Sequence, residues 1–237
     1  MSNLPALILA AGRGERMRPL TDHTPKPLLV VRGKPLIEWH LEALARDGVR
    51  QVVINTAWLE EQIPAALGDG SRWGLSISYS MEGRDHGGAL ETAGGMAKAL
   101  PRLGDAFWSL SGDIFAPDFV FSQEAAERFK AGTDWGRLWL VPNPPHVPSG
   151  DFALSPEGRV ARRDDAQAAW PRLTYGNFAL YRPAMVDHLS VGTKAALLPS
   201  LQRAIAQDRL SGQIYDGRWT DVGTPERLQE VNDPDRR

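Results

Sequence analysis

The sequence predicts an α/β fold with a Rossmann-like, mostly parallel central sheet flanked by helices. Short apolar runs alternate with amphipathic segments through the first half of the chain, which is the pattern of repeated strand–helix–strand units. The first run, residues 7–11, breaks at Gly12-Arg13-Gly14, as a buried strand does when it ends in a tight turn. A chain of 237 residues with 42% hydrophobic content is also long enough to form one large domain of this class.

Proline and glycine delimit the elements of the first half. Pro35 in the first turn and Gly48 after the last turn bound one amphipathic helix, and Pro101 ends a second. Residues 75–79 alternate between apolar and polar side chains, as in a strand with one buried face. We predict strands at residues 7–11, 52–54, 75–79 and 107–110, and helices at residues 35–47 and 93–100.

The second half of the chain is less regular. A short helix is expected to begin at Pro225, because Thr224 stands before it in the position of an N-terminal cap. The last predicted strand shows the alternation typical of an exposed or antiparallel strand. We predict strands at residues 138–141, 152–154 and 174–181, and a longer helix at residues 195–207.

The composition excludes several classes of function. The formal net charge is −2, so we expect no bulk binding to nucleic acid or to a membrane surface. The chain has no cysteine, which excludes disulfides and thiolate metal sites. Residues 1–3 lead directly into the first strand and leave no room for a signal peptide, and no apolar run approaches the length of a membrane span. A cytoplasmic location is therefore expected.

The loop after the first strand concentrates positive charge beside a glycine turn. Arg13, Arg16 and Arg18 follow one another closely, and Lys26 stands between two prolines. Backbone N–H groups at such a turn, together with Arg and Lys side chains, are the groups that proteins use to hold a polyphosphate. The loop is therefore a candidate triphosphate-binding site.

Two other phosphate-binding motifs do not fit this loop. A dinucleotide-binding fingerprint requires a third glycine at the position of Met17 and helix-forming residues where Pro19 stands. A Walker loop requires Ser or Thr after Gly33-Lys34, where the sequence has Pro35. A lone Gly-x-Gly turn carries little information, so the prediction depends on the residues that accompany it.

Two aspartates follow other parts of the predicted sheet. Asp113 comes after the apolar run at residues 107–110, and Asp221 lies in the segment 219–224. In an open α/β sheet, ligands bind beyond the carboxyl ends of the strands. Mg²⁺ prefers one or two carboxylates, with its other positions left to phosphate and water. Asp113 and Asp221 are therefore candidate ligands of a Mg²⁺ cofactor, although each of these segments taken alone is more often a turn.

These motifs together resemble the signature of the sugar-1-phosphate nucleotidyltransferases, LxxGxGxRxxPxT followed by KP. The matching residues are Gly12, Gly14, Arg16, Pro19, Thr21 and Pro25-Lys26-Pro27. The Gly-Asp at residues 112–113 and the Asp-Val-Gly-Thr at residues 221–224 are similar to the two metal-binding motifs of that family. The resemblance implies the nucleotide-diphospho-sugar transferase fold, of GT-A-like type. It implies a single domain over residues 1–237, with a nucleotide-binding half over about residues 1–115 and a sugar-binding half over about residues 116–231.

The resemblance also implies roles for the residues around the loop. Arg16 would clamp the triphosphate with two hydrogen bonds, and Lys26 would act as a point charge near the α-phosphate, so both are predicted to be catalytic. Arg13 either assists at the β- and γ-phosphates or is a solvated loop cation. The predicted nucleotide-binding residues are Leu9, Ala11, Gly12, Arg13, Gly14, Lys26, Thr92 and Gly94.

Other segments would read the base and the sugar. Residues 89–95 resemble the segment that faces the nucleobase in this family, and Thr92 in that segment could contact the base or cap the following helix. Ser111, Asp151 and Asn177 are the predicted sugar-binding residues. Ser111 stands where close members of the family usually have Asn, and Asn177 stands where members commonly have Gly.

The implied reaction is a Mg²⁺-dependent transfer of a uridylyl group from UTP to an amino-sugar 1-phosphate, with release of pyrophosphate. The favoured acceptor is N-acetylmuramate α-1-phosphate, in bacterial cell-wall recycling. Its lactyl carboxylate would require a cation, for which Arg162, Arg163 and Lys194 are candidates. A guanylyl- or thymidylyltransferase acting on mannose or glucose 1-phosphate is the alternative within the class. A catalytically silent nucleotide-sugar sensor is the alternative outside it.

The expected partners are the nucleoside triphosphate and the sugar 1-phosphate, with no nucleic acid and no membrane. The chain ends soon after residues 221–224, without the β-helix through which longer members of the family form trimers. A monomer is therefore expected.

Overall fold

The computed structural model describes residues 3–165 and 169–233. The strands within these ranges are β1 (Ala6–Leu9), β2 (Val30–Val31), β3 (Lys34–Pro35), β4 (Gln51–Thr56), β5 (Ser76–Met81), β6 (Phe107–Ser111), β7 (Ile114–Phe115), β8 (Gly136–Val141), β9 (Phe152–Leu154), β10 (Val160–Arg162), β11 (Arg172–Tyr181), β12 (Leu210–Ile214) and β13 (Thr220–Asp221). The helices are α1 (Leu36–Arg46), α2 (Gln62–Leu67), α3 (Glu82–His86), α4 (Glu91–Ala99), α5 (Gln123–Ala131), α6 (Leu197–Ala206) and α7 (Pro225–Asn232). In this described part of the chain, none of the helices has both the length and the apolar composition needed to cross a membrane.

Nine of the strands form one sheet. β6, β1, β4 and β5 lie side by side and run parallel to one another. β11 pairs antiparallel with β6, and β8 and β9 pair antiparallel with β11. β10 and β12 extend the sheet beyond β9 and β8. The first half of the chain therefore supplies a parallel block, and the second half supplies the antiparallel strands beside it.

Side chains of the sheet alternate between two apolar cores, one on each face. In β1, Ile8 belongs to one core and Leu7 to the other, and both are fully buried. The first core packs against α1, α2 and α5, and the second packs against α4 and α6. Each aliphatic side chain buried in this way stabilises the fold by about 1.5–3 kcal/mol. The parallel strands are thus covered on both faces, and their carboxyl ends are where a ligand can reach them.

The structure confirms the predicted α/β class, with a mixed sheet and helices on both faces. Each predicted strand and helix has a counterpart within a few residues, and the strand predicted at 174–181 is antiparallel to its neighbours. Several elements were missed, among them α2, α3, α5, β10 and β12. A start signal for α5 was present, because the Ser122 hydroxyl accepts a hydrogen bond from Ala125 N and so caps that helix.

A pair of two-residue strands brings the two predicted metal ligands together. In the antiparallel pair β7–β13, Asp221 stands opposite Ile114. Val222 N donates a hydrogen bond of 2.8 Å to the backbone oxygen of Asp113. The helix α7 follows directly, and its predicted cap is confirmed because Thr224 accepts a hydrogen bond from the backbone of the first turn.

Candidate active site

The carboxyl ends of β1, β4 and β6 border a cavity of about 310 Å³. Its walls are the loop that follows β1 and the segment that leads into α4. We refer to it as the first cavity. The predicted site residues that line it are Leu9, Ala11, Gly12, Gly14, Lys26, Thr92, Ser111 and Asp113. Residues predicted from separate motifs therefore meet around one space, and Ser111, predicted to contact the sugar, lies among the residues predicted to hold the nucleotide.

The turn after β1 depends on Gly14. Its φ is 68°, in the left-handed region, and a Cβ there would lie 3.0 Å from Thr21 Cγ2. Thr21 is fully buried, and its hydroxyl donates a hydrogen bond of 2.8 Å to Gly14 O. A glycine at position 14 is thus required by packing as well as by the positive φ of the turn.

The two predicted loop arginines have different surroundings. The Arg13 guanidinium stacks over Trp58 at 3.6 Å from the ring centroid and donates a hydrogen bond of 2.9 Å to Thr21 O. Arg16 is exposed, and its Nη2 lies 3.2 Å from the position that a Cβ on Gly223 would occupy. Neither side chain lines the first cavity. Arg13 is held by the loop itself, whereas Arg16 lies beside the segment that carries Asp221.

Lys26 and Asp113 form an ion pair at the border of the first cavity. Lys26 begins a short 3₁₀ turn, Lys26–Leu28, and its side chain is 12% exposed. Its Nζ lies 2.5 Å from Asp113 Oδ2. The pair therefore combines a shielded cation with a carboxylate, in direct contact with the space where a polyphosphate would bind.

Asp221 is also paired with a cation. Arg227 Nη1 donates to both carboxylate oxygens of Asp221, at 2.6 and 2.7 Å. His146 Nε2 lies 3.0 Å from Asp221 Oδ1. A Cβ on Gly223 would lie 2.4 Å from Arg227 Nη2, so the glycine leaves room for this guanidinium.

The donor set fits a metal ion that takes most of its ligands from the substrate. Asp113 and Asp221 are brought to neighbouring positions by the β7–β13 pair. Within residues 3–165 and 169–233, no group of three or more His, Cys, Asp or Glu side chains could hold a metal ion alone. Two carboxylates without a third protein ligand match the preference of Mg²⁺ for sites completed by phosphate and water.

The segment before α4 differs from the prediction at its helix boundary. The helix begins at Glu91, whose φ of 60° is unusual for a residue other than glycine, and Leu90 stands at the N-cap position without a side-chain cap. The prediction that Thr92 could cap this helix is wrong, because the helix starts at the left-handed Glu91, two residues before the predicted start. Thr92 lies in the first turn and borders two cavities.

Gly94, predicted to contact the nucleotide, lies against a different segment. A Cβ on Gly94 would be 2.2 Å from Thr193 O, and Gly94 N donates a hydrogen bond of 3.1 Å to Ala195 O. Gly94 lines neither the first cavity nor the second cavity described below. In this structure it allows α4 to approach residues 193–195 closely, and its contact with a nucleotide stays a prediction.

A buried polar network lies beneath the first cavity. Ala10 N donates to Asn55 Oδ1, and Asn55 Nδ2 donates to Glu82 Oε1, each at 2.7 Å. Glu82 Oε2 accepts from Leu90 N, also at 2.7 Å. Burial raises the pKa of the Glu82 carboxyl, although the Leu90 and Asn55 donors oppose this effect. The network joins the end of β1 to the segment that opens α4.

A second cavity, of about 580 Å³, adjoins the first, and Thr92 lines both. Two of the predicted sugar-binding residues, Asp151 and Asn177, line it. Asp151 Oδ2 accepts a hydrogen bond of 2.8 Å from Tyr175 N. Asn177 has a φ of 59° and lies where the pairing of β11 with β8 is interrupted. Asparagine tolerates the left-handed conformation better than most residues, so a residue other than glycine is accommodated here.

Two of the three cations proposed for a sugar carboxylate border the second cavity. Arg162 and Arg163 line it, whereas Lys194 does not. Arg163 Nε lies 3.1 Å from Asp164 Oδ1, and Arg162 Nε lies 3.9 Å from Asp165 Oδ2. Lys194 Nζ instead lies 3.8 Å from Glu91 Oε1. The geometry therefore favours the two arginines over the lysine.

Sequence reasoning missed four polar residues that the fold gathers around the site: Asn55, Glu82, His146 and Arg227. Asn55 follows an apolar run, so its position at a strand end was readable. Arg227 lies near the start of the helix after Asp221, which was also predicted. Glu82 and His146 carry no local signal, because their contacts are made with residues remote in sequence.

The first cavity lies at the carboxyl edge of the parallel strands, beside a glycine turn and a lysine–aspartate pair, and the second cavity adjoins it. This arrangement is typical of enzymes that transfer a group between phosphorylated substrates. The model of the nucleotidyl transferase family matches residues 5–150, and the chain belongs to that family. The chain is 49% identical over 230 residues to N-acetylmuramate alpha-1-phosphate uridylyltransferase of Neisseria meningitidis serogroup B, covering 96% of each protein.

Two further similarities agree with this membership. An enzyme of the same name from Caulobacter vibrioides is 31% identical over 95% of both chains. The fold is also similar to that of a Bacillus anthracis protein crystallised with a sucrose, with a TM-score of 0.78 and 21% identity over 98% of this chain and 95% of that one. The nucleotidyltransferase fold and family expected from the sequence are therefore confirmed.

Proposed function

We propose that this protein transfers a uridylyl group from UTP to N-acetylmuramate α-1-phosphate, producing the UDP-sugar and pyrophosphate for cell-wall recycling. The observation that carries the proposal is the pair of adjoining cavities that share Thr92. One contains the Lys26–Asp113 pair, and the other is bordered by two arginines. The names of the Neisseria and Caulobacter relatives support this choice of substrates.

The chemistry requires no protein nucleophile. A phosphate oxygen of the sugar 1-phosphate attacks the α-phosphorus of UTP and forms a new P–O bond. The bond from the α-phosphorus to the oxygen that bridges to the β-phosphorus breaks, and pyrophosphate leaves with that oxygen and the electron pair. The protein's contribution is then the positioning of the two substrates and the neutralisation of charge.

Lys26 in the first cavity, and Arg13 and Arg16 in the loop beside it, would supply that neutralisation. Lys26, shielded at the cavity border, would act on the charge that develops as pyrophosphate leaves. Arg16, exposed beside Gly223, would hold the triphosphate. Arg13 would assist from the loop, where Trp58 and Thr21 fix its guanidinium.

Asp113 and Asp221 would hold Mg²⁺, which when bound neutralises phosphate oxygens. Lys26 and Arg227 neutralise these two carboxylates in the structure. Lys26 lines the first cavity, whereas Arg227 does not and is linked to the proposed metal site through Asp221.

The second cavity would select the sugar. N-acetylmuramate carries a lactyl ether with a carboxylate, so its site requires both space and a cation or donor to offset desolvation of that charge. Arg162 and Arg163 border a cavity of about 580 Å³, where each is paired with an exposed aspartate that also lines the cavity. Asp151 and Asn177, which line the same cavity, would bind hydroxyl groups of the ring.

The proposal is tested by measuring pyrophosphate release. The protein is incubated with Mg²⁺ and each of UTP, CTP, GTP, ATP and dTTP, against the 1-phosphates of N-acetylmuramate, N-acetylglucosamine, glucose and mannose. We expect the highest kcat/KM with UTP and N-acetylmuramate 1-phosphate. Preference for GTP with mannose 1-phosphate, or for dTTP with glucose 1-phosphate, would establish the alternative transferases instead. Tight binding of a nucleotide sugar without turnover of any pair would establish a silent sensor.

A competition assay resolves the sugar separately from the base. With UTP fixed, N-acetylmuramate 1-phosphate and N-acetylglucosamine 1-phosphate are supplied together, and both products are quantified. Equal or preferred use of the glucosamine compound contradicts the proposed sugar while leaving the transferase function in place.

A further inference from the structure

We infer that Glu82 is a positioning residue for the nucleotide, which it orients by fixing the separation between the two walls of the first cavity. This inference rests on the proposed binding of the triphosphate in that cavity. Glu82 is fully buried and does not line the cavity, so it cannot contact the substrate directly. Its carboxylate is bonded on one side toward the loop wall and on the other side to the wall that opens α4.

The two walls are connected by a chain of three hydrogen bonds, two on the loop side of Glu82 and one on the α4 side. Ala10 N, at the start of the loop wall, donates to Asn55 Oδ1, and Asn55 Nδ2 donates to Glu82 Oε1. Glu82 Oε2 accepts from Leu90 N, immediately before Glu91 and Thr92 of the other wall. Ala10, Asn55 and Thr92 line the cavity themselves, so a shift in this chain moves the cavity surface.

The direction of each hydrogen bond is determined by the backbone at both ends. Ala10 N and Leu90 N can only donate, because each is a backbone N–H group. Asn55 must therefore direct its oxygen toward Ala10 and its amide N–H toward Glu82. Glu82 then has to accept on both oxygens, which a carboxylate does and an amide cannot. The identity of residue 82 is specified by this pattern.

Burial of the Glu82 carboxylate in this network is expected to reduce the stability of the fold. Glu82 has no exposed surface and its carboxylate is bonded only to neutral groups, an arrangement in which a buried charge normally reduces stability. Burial accordingly raises the pKa of its carboxyl, while the positive charges of Lys98 and His86 act in the opposite direction. A buried charge that is retained at this cost beneath a ligand cavity indicates a role in the site.

At Gly95, helix α4 packs directly on the side chains of Asn55 and Glu82. A Cβ on Gly95 would lie 2.4 Å from Glu82 Oε1 and 2.6 Å from Asn55 Nδ2. The helix that carries Thr92 therefore rests on the same two side chains that hold the loop wall. The positions of both walls therefore depend on the buried hydrogen bond between Asn55 and Glu82.

The test exchanges the acid and the amide between positions 55 and 82. Glu82→Gln places an amide N–H against another donor, and Asn55→Asp places two carboxylates against each other. In the double variant Asn55→Asp/Glu82→Gln, the new carboxylate at position 55 accepts from Ala10 N and from the new amide at position 82. The oxygen of that amide accepts from Leu90 N, so every donor again faces an acceptor. Ser80→Ala, at a buried hydroxyl of β5 without a hydrogen-bond partner, is the matched control.

The dissociation constant of each variant for Mg²⁺–UTP is measured by calorimetry, with kcat, KM and the thermal midpoint alongside. We expect each single variant to weaken UTP binding by about 10-fold or more, the effect of a buried charge-assisted hydrogen bond, with KM affected more than kcat. The double variant should recover to within about 3-fold of the parent, and Ser80→Ala should match the parent.

Three results would overturn the inference. The first is a Glu82→Gln variant that folds and binds UTP as the parent does. The second is a double variant that recovers the thermal midpoint but not the affinity, because the network would then serve folding alone. The third is a double variant that does not fold, which would contradict the donor–acceptor pattern itself. If the single variants do not fold, the affinity of the double variant still decides between these outcomes.

Failure of the proposed function is visible in the parent protein alone. A parent that binds a triphosphate other than UTP contradicts the proposed base, and the same variant series is then compared with that triphosphate. A parent that binds UTP, with variants that bind it equally well, contradicts only the role of Glu82.

Discussion

The first and second cavities hold their charged groups in different ways. In the first, Lys26 Nζ lies 2.5 Å from Asp113, and only 12% of the lysine side chain is exposed. In the second, Arg163 Nε lies 3.1 Å from Asp164, and 44% and 82% of these two side chains are exposed. The first cavity borders the parallel strands, whereas the second borders antiparallel strands of the later half.

From this difference we expect the first cavity to determine the rate of the reaction and the second to determine which sugar is used. Shielded charges on fixed strand ends are preorganised, so they stabilise a developing charge at little cost of reorganisation. Solvated pairs on an open surface contribute little energy each and can change partner when a ligand arrives. We therefore expect substitutions in the first cavity to reduce turnover strongly, and substitutions in the second to change mainly which sugar is used.

The largest effect is expected for Asp113→Asn. Loss of one of the two carboxylates proposed to bind the metal should reduce kcat on the order of 10²-fold or more. The thermal midpoint should change little, because the amide oxygen can still accept from Lys26. Steady-state kinetics at several Mg²⁺ concentrations measure the effect, and Asp118→Asn, in an exposed pair with Arg218, is the matched control. Near-normal turnover under limiting Mg²⁺ would sink the assignment of Asp113.

Lys26→Ala and Arg13→Ala should separate turnover from affinity. Lys26 is proposed to act on the charge that grows as pyrophosphate leaves, so its loss should lower kcat by about 50-fold. Arg13 is held by Trp58 and Thr21, and its loss should raise the KM for UTP by about 5-fold with kcat little changed. Lys130→Ala, at a surface lysine paired with Glu127, controls for loss of a positive charge. A larger effect of Arg13→Ala on kcat and of Lys26→Ala on KM would show that the roles of the two residues are the reverse of those proposed.

A smaller effect is expected for the double substitution Arg162→Ala/Arg163→Ala. The ratio of kcat/KM for N-acetylmuramate 1-phosphate to that for N-acetylglucosamine 1-phosphate should fall by about 10-fold, because the lactyl carboxylate loses its cations. Arg50→Ala, at an exposed arginine bonded to Ala45 and Val49 carbonyls, should leave the ratio unchanged. An unchanged ratio in the double variant would remove both arginines from sugar selection.

The smallest effect is expected at Asn177, whose φ is 59°. Asn177→Ala should destabilise the protein by about 1 kcal/mol, since alanine is less tolerant of the left-handed conformation. Asn177→Gly should change stability by less than about 0.5 kcal/mol, because glycine adopts this conformation without steric cost. Urea denaturation of the two variants measures the difference. Equal stability of the alanine and glycine variants would show that the backbone at this position can relax.

Residues of the site that lie in local sequence motifs could be predicted from the sequence. The loop residues Gly12, Gly14 and Lys26 were readable because they lie within one short stretch next to a strand end. Asp113 and Asp221 were readable because each follows a recognisable motif, and the β7–β13 pair brings them together. Motifs of this kind are local, so a sequence carries them without knowledge of the fold.

The supporting residues could not be found in this way. The contact of Glu82 with Asn55 depends on how β4 and α3 meet, and that of His146 with Asp221 depends on a loop folding back across the site. The capping role predicted for Thr92 was wrong because a non-glycine residue, Glu91, adopts a positive φ, which local propensity does not anticipate. Such details are set by tertiary packing, which overrides the local preference.

Helix α4 is stable through its surroundings and not through its own sequence. Gly94 and Gly95 lie in its interior, and each is about 1 kcal/mol less favourable there than alanine. Ala195 O accepts hydrogen bonds from Ala93 N and Gly94 N, and the two glycines let the helix pack closely against Thr193 O and the Glu82 carboxylate. The backbone amides of α4 should therefore exchange with deuterium sooner than those of α1, which contains no glycine, and slow down when a nucleotide occupies the adjoining cavity. Amide exchange along this one helix then becomes a direct report of occupancy, independent of turnover.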